Sequence, residues 1–166
     1  FPQIKISRLN TDLLTDPGKK TCFTLVNSRI KRTSQKISSM VADLMNESTP
    51  SYEYSLKQLK CYAFDAADAI ASFDIVKLCS VLNNVQHTNE RIHPFLKNSQ
   101  MDKVFDILEG NYCAAKVAGA GGGGFVLFVS DTPEQADRLK KTIANDSRIG
   151  LVDFELNTRG LSVTIL

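Results

Sequence analysis

The sequence predicts an α+β domain, and three observations carry the prediction. Strand-like and helix-like segments are partly segregated: one early strand, four helical segments, two strands, a helix and a closing hairpin. A glycine run at positions 119–124 lies between apolar, β-favouring flanks, so it reads as a folded loop and not as a linker. The chain has 166 residues, 43% hydrophobic and 23% charged, which suits a single domain burying about 70% of its unfolded surface.

Taken in order, positions 1–20 read as irregular, with Thr15-Asp16-Pro17-Gly18 as a turn signal. Cys22-Phe23-Thr24-Leu25-Val26 is short and apolar and reads as a strand. Ile37, Met40, Val41 and Leu44 then recur at i, i+3, i+4, i+7, which predicts an amphipathic helix ending near Asn46. Ser48-Thr49-Pro50-Ser51 reads as a linker. The next helix is expected over 52–72, with Leu56, Leu59, Ala63, Ala66 and Ile70 as its stripe. Asp74 is a good N-cap for a further helix with Leu78, Val81, Leu82 and Val85 along one side, closed by Ile92-His93-Pro94. Met101, Val104, Phe105 and Leu108 mark one more helix, with Gly110 at its C′ position. Thr132-Pro133-Glu134-Gln135 is a helix start, with Ala136, Leu139 and Ile143 facing inward. The segment 151–156 alternates as a half-buried strand, and Asn157-Thr158-Arg159-Gly160 turns it into a hairpin with 161–165.

Bulk properties exclude several functions. Twenty basic residues against 18 acidic ones leave a net charge of +2, which gives no electrostatic case for nucleic acid or membrane partners. No apolar run approaches the ~20 residues of a membrane span. Cys22, Cys61, Cys79 and Cys113 are widely spaced and include no C-x-x-C pair, which argues against zinc. Cys61 and Cys79 fall on apolar helix faces and read as buried free thiols, which fits a reducing, cytoplasmic compartment. His87 and His93 have no ligand partners at metal spacing. Asp65 and Asp68 share one side of a helix and read as a solvated polar face. The basic cluster Arg29, Lys31, Arg32 and Lys36 opposes a helix macrodipole; a solvated surface is its plain reading, a phosphate contact the alternative.

The glycine run is the stretch that carries chemistry. Five of the nine glycines lie between 119 and 124. Glycine there gives positive φ without penalty and leaves backbone N–H groups open to an anion. Gly119, Gly121 and Gly124 formally match G-x-G-x-x-G, but they run into the strand Phe125-Val126-Leu127-Phe128-Val129, not into a helix, so a dinucleotide fold is excluded. The P-loop G-x-x-x-x-G-K-[ST] is also absent. A ligand-free turn between two buried strands remains the plain alternative.

Lys116-Val117-Ala118-Gly119-Ala120-Gly121-Gly122-Gly123-Gly124-Phe125 resembles the third motif of the GHMP kinases, roughly K-x-T-G-A-G-G-G-G-C. Ala118 stands where that family usually has Thr, and Phe125 where it usually has Cys; both resemble the branch of L-fucose and D-glycero-D-manno-heptose 7-phosphate kinases. The resemblance extends over roughly 12–165, but only the glycine motif is specific. It implies a ferredoxin-like antiparallel sheet with several helices packed on one face, the family's C-terminal domain, filling 1–166. It implies ATP and Mg2+, bound mainly by an N-terminal domain, and a sugar or sugar phosphate as acceptor. It places Gly119, Ala120, Gly121, Gly122, Gly123 and Gly124 at the phosphates and acceptor, with Lys116 beside them. That branch also has a Thr-Gly-x-x-Arg segment after the first strand: Ser28 aligns with the Thr, Arg32 with the Arg, and Arg29 replaces the Gly.

The family's N-terminal motif P-x-x-x-G-L-G-S-S-A and its catalytic Asp and Lys have no counterpart in this chain. No catalytic residue and no metal ligand are therefore assigned. Phe1-Pro2-Gln3-Ile4 lacks an initiator Met, so the chain is expected to be processed or cut from something longer. The expectation is the C-terminal half of a sugar kinase, inactive alone. Its alternatives are a non-catalytic ferredoxin-like regulatory domain for a small anionic ligand, and a structural pairing domain with an exposed apolar surface.

Overall fold

The computed structural model describes residues 9–31, 34–46, 49–93, 96, 98–119 and 121–155. Strands β1 (Phe23–Asn27), β2 (Ala114–Val117), β3 (Phe125–Val129) and β4 (Gly150–Val152) form one antiparallel sheet in the order β2-β3-β1-β4. The registers pair Leu25 with both Leu127 and Val152, and Lys116 with Leu127. This order is ferredoxin-like, as expected. The hairpin expected after β4 falls on 156–165, outside the described residues.

Helices α3 (Ser34–Asn46), α4 (Pro50–Ala71), α5 (Ile75–Ile92) and α6 (Ser99–Leu108) lie between β1 and β2, and α7 (Pro133–Ala144) between β3 and β4. Two short helical turns, α1 (Asp12–Thr15) and α2 (Pro17–Lys20), precede β1 where an irregular segment was expected. Asp16 closes the second turn by accepting from Lys19 N, and Leu13 is fully buried.

Alternation along the strands divides the core in two. Val26, Ala115, Val117, Val126 and Phe128 pack against Met101, Val104, Phe105 and Leu108 of α6 and Leu139 and Ile143 of α7. Phe23, Ala114 and Val129 point the other way, onto Leu13, Ala69, Ile75, Leu78 and Cys79. Helices therefore cover both faces, not one. Phe128 is the aromatic centre of the first core, with Phe105 at 5.7 Å and Tyr112 at 4.8 Å between ring centroids.

Most helix boundaries follow from their caps. Asp74 accepts from Lys77 N at 2.8 Å, and Thr132 accepts from Gln135 N at 3.2 Å. The supposed linker before α4 is a start signal: Thr49 accepts from Tyr52 N, and Pro50 occupies the first turn. The α4 stripe is rotated from the expected one. Tyr52, Ser55 and Ala69 are buried, while Leu56 and Ala63 are exposed. Cys61 is exposed as well, so it is not a core thiol.

The free edge of β2 is closed by α5, which supplies side chains where a sheet would supply a strand. Gln86 Oε1 accepts from Val117 N at 2.9 Å, and Asn83 Nδ2 donates to Cys113 O at 2.8 Å. At the same seam Cys79 and Cys113 form a disulfide, 34 residues apart, with Cα atoms at 6.0 Å. Cys79 is thus buried but not a free thiol. The pairing was hidden because its two halves lie in different elements that meet only when α5 docks on β2.

Candidate functional site: a glycine loop at one end of the sheet

The β2–β3 connection uses its glycines conformationally. Gly119, Gly121, Gly122, Gly123 and Gly124 have φ of 64°, 82°, 71°, 148° and 80°. Side-chain-bearing residues rarely adopt such a succession, which accounts for the run. Space is the second reason. A Cβ on Gly121 would lie 2.5 Å from Leu96 Cγ, and one on Gly123 would lie 2.7 Å from Ile30 O.

The loop is held from two sides. Gly122 N donates to Leu96 O at 2.7 Å, and Asn98 Nδ2 donates to Gly122 O at 3.1 Å. Asn98 also caps α6, accepting from Gln100 N and Met101 N. On the other side Ser28 N donates to Gly124 O at 2.8 Å. The loop is thereby fixed to the α6 cap and to the chain leaving β1. The N–H groups of Gly119 and Gly123 make no hydrogen bond among the described residues. Ala120 lies outside the described residues.

Lys116 stands on β2, half-buried, and its Nζ donates to Val117 O at 3.1 Å. Burial pushes its ammonium below the ordinary lysine range. Arg32 lies outside the described residues, but Arg29 and Lys31 before it are described. Arg29 takes φ 54°, the left-handed conformation that the glycine of the resembled motif would adopt freely. Two bonds hold it there: its N–H donates to Asn27 Oδ1 at 2.8 Å, and its Nη1 donates to Ser147 O at 2.7 Å. Arg29 and Lys31 precede α3 and are not in its first turn, so the macrodipole objection does not apply to them.

The other polar groups singled out in the sequence are not part of this site. Asp68 pairs with Lys77 on an exposed surface. His87 is exposed, 3.9 Å from Glu90 Oε2. His93 is half-buried, edge-on to Tyr52 at 6.0 Å, and burial lowers its basicity. Its carbonyl accepts from Leu96 N at 2.9 Å, so it supports the turn under the glycine loop. Leu96 and Asn98 are the residues that sequence reading missed. Asn98 before an amphipathic segment was a legible cap, but nothing in the sequence shows that the same side chain reaches Gly122.

The described groups around the loop fit an anion better than a cation. Ser28, Ile30, Leu96 and Asn98 contribute no carboxylate. The set of three potential metal-ligating groups found among the described residues is Cys79, Cys113 and Asp131, and its two sulfurs are bonded to each other. These residues do not form a Mg2+ site, and no step is assigned to a metal here.

A glycine-rich β-hairpin loop on a four-stranded ferredoxin-like sheet, braced by a capped helix, defines a class. Residues 66–147 match the family model "GHMP kinases C terminal". The matched segment is similar to the C-terminal domain of GHMP kinases. Similarity also runs to L-fucokinases. Over 99% of its length the chain is 24% identical to the L-fucokinase/L-fucose-1-P guanylyltransferase of Bacteroides fragilis. Over 67% of its length it is 25% identical to the bifunctional fucokinase/GDP-fucose pyrophosphorylase of Arabidopsis thaliana. It spans 18% of the first relative and 10% of the second. Among solved structures, the Lin0012 protein of Listeria innocua superposes with a TM-score of 0.72 at 19% identity, over 80% of this chain and 38% of that one. L. major mevalonate kinase in complex with R-mevalonate gives 0.68 at 15% identity, over 78% and 40%. No described helix is long and apolar enough to cross a membrane.

Proposed function

We propose that this chain is the C-terminal half of a sugar kinase that transfers the γ-phosphoryl group of ATP to a sugar hydroxyl, such as that of L-fucose or of a heptose phosphate. The observation that carries the reading is the glycine loop: a braced turn in which the N–H groups of Gly119 and Gly123 make no hydrogen bond among the described residues, with Lys116 on the strand that leads into it. Phosphoryl transfer is mostly positioning and charge stabilisation. In this role the N–H groups of Gly119 and Gly123 face the charge that develops on the transferred group, and Ala120, Gly121, Gly122 and Gly124 complete the substrate-facing loop. Lys116 adds positive charge from β2. Arg32 is proposed as a further anion contact on the family alignment alone.

Residues 119–124 are glycine and alanine, so their side chains supply no base and no metal ligand. The chain's principal partner in this reading is therefore its own N-terminal kinase domain, which holds ATP and Mg2+, and the isolated chain is inactive. The similarity to L-fucokinases favours a sugar acceptor over a mevalonate-type one. The compartment implied is the cytoplasm, where ATP is held; a thiol count on protein purified without oxidant or reductant tests it against the Cys79–Cys113 bond.

The test is ATP-dependent phosphorylation of L-fucose, a heptose 7-phosphate, galactose and mevalonate. The full-length parent, its Gly121→Val variant and this chain alone are compared. Activity in the parent, lost on substitution and absent from this chain, is expected. A parent silent on every acceptor would overturn the kinase reading.

A further inference from the structure

We propose that a second anion site, a cleft between the β1–α3 turn, α6 and the α7–β4 turn, binds the phosphate group of a phosphorylated small molecule. The inference deepens the proposed function and rests on it for the source of that phosphate; the cleft itself stands on its geometry. It has a volume of about 690 Å³ and brings together Arg29, Lys31, Lys103 and Arg148 from three distant parts of the chain. That size suits a mononucleotide or a sugar phosphate.

No carboxylate lines the cleft among the described residues. The nearby acid, Asp146, is held by Arg148 through paired contacts of 2.9 Å and 2.6 Å, which leaves it little capacity for other cations. Arg29 is fixed at one donor by Ser147 O, and its remaining donors are not matched to a carboxylate among the described residues. Lys31 and Lys103 make no ion pair among the described residues. Asp146 offsets the charge of Arg148, but no ion pair among the described residues offsets Arg29, Lys31 or Lys103. The overall charge is only +2, so the gathering is local and not a reflection of composition. The walls include Ile30, Val104 and Ile149, and such apolar surfaces strengthen a charge–charge contact.

The cleft adjoins the glycine loop. Ile30 forms its wall, and the Ile30 carbonyl lies where a side chain on Gly123 would intrude. One phosphate at the glycine loop and a second in the cleft are the two ends of a single bisubstrate arrangement. A nucleotide and a phosphorylated sugar share the chemistry that this cleft recognises.

The test is an amide-resolved NMR titration of the full chain with inorganic pyrophosphate, then with ADP and with a hexose 1-phosphate. Shifts are expected at Arg29, Lys31, Ser147 and Arg148. Lys103→Glu, an exposed change, is expected to weaken binding about 10-fold, the worth of one charge-assisted contact. The tighter of ADP and the sugar phosphate names the source. Shifts confined to other surfaces, or binding unchanged in both Lys103→Glu and Lys31→Glu, would overturn the inference. The two readings separate in the parent. Cleft binding without turnover on any acceptor leaves the site standing and removes the kinase. Turnover with an unaltered KM in Lys103→Glu removes the site and leaves the kinase.

Discussion

Replacing Gly121 by alanine tests how the glycine loop is built, and Gly110 supplies a matched control. Both glycines have nearly the same backbone, with φ of 82° and 78°. Alanine in that conformation costs about 1–2 kcal/mol, and this cost is common to both sites. Their surroundings differ. A Cβ at position 110 meets nothing within 4 Å, whereas one at 121 lies 2.5 Å from Leu96 Cγ, 2.7 Å from Cδ1 and 3.0 Å from Cα. The side chain can rotate away, but the Cα cannot, because Gly122 N holds Leu96 O at 2.7 Å. Crowding of this kind costs about 1–3 kcal/mol. For a domain of this size each kcal/mol moves Tm by about 2–4 °C, so Gly121→Ala should melt roughly 2–12 °C below Gly110→Ala. The assay is thermal unfolding followed by circular dichroism, with the two variants and the parent chain in one buffer. Equal melting points for the two variants would refute the packing of the loop on Leu96, and with it the bracing on which the phosphate reading depends.

Gln86→Ala should expose the amide of Val117, which Gln86 Oε1 accepts while 4% exposed; an orphaned buried donor costs about 1–3 kcal/mol, and hydrogen exchange at Val117 reads the loss directly. Asn98→Ala removes a cap and a loop contact together and should cost about 1–2 kcal/mol in chemical denaturation, with faster exchange in the first turn of α6. Asp146 is held at a pKa of about 2, first by the Arg148 side chain and then by its backbone N–H. Its folded pKa is depressed, so its contribution to stability is present above the ordinary carboxylate range and is lost as pH falls towards 2. A carboxyl-carbon NMR titration should show that midpoint, and Arg148→Ala should move it up towards about 3.9. Thiol labelling of the native disulfide form should modify exposed Cys61 quickly and Cys22 only on unfolding, with Cys79 and Cys113 appearing after reduction; four labelled thiols without reductant would contradict the bond.

Much of the fold is local in origin, and that part was legible. Asp74 and Thr132 cap where their side chains can reach the third residue on, and Met101, Val104, Phe105 and Leu108 repeat at the period of the helix they bury. Strands 23–27 and 125–129 are short apolar runs between polar punctuation. The glycine run announced itself because five left-handed residues in six positions leave glycine little competition. Thr49-Pro50 carried the same kind of local information, but was read as a linker because serine and proline also populate loops. The α4 stripe failed for another reason. Several registers of a helix rich in Ala, Leu and Tyr look amphipathic, and only the neighbour against which α4 packs selects one.

The sequence alone determined the class of fold, the loop that organises it and the family it resembles, because these rest on residues close together in the chain. Tertiary structure decided everything that depends on which surfaces meet. It paired Cys79 with Cys113 and closed the β2 edge with Gln86 and Asn83. It brought Asn98 onto Gly122 and gathered Lys103 and Arg148 around Arg29 and Lys31. Those partners lie 24 or more positions apart in the chain, and spacing in sequence has no bearing on distance until the sheet and its helices have packed.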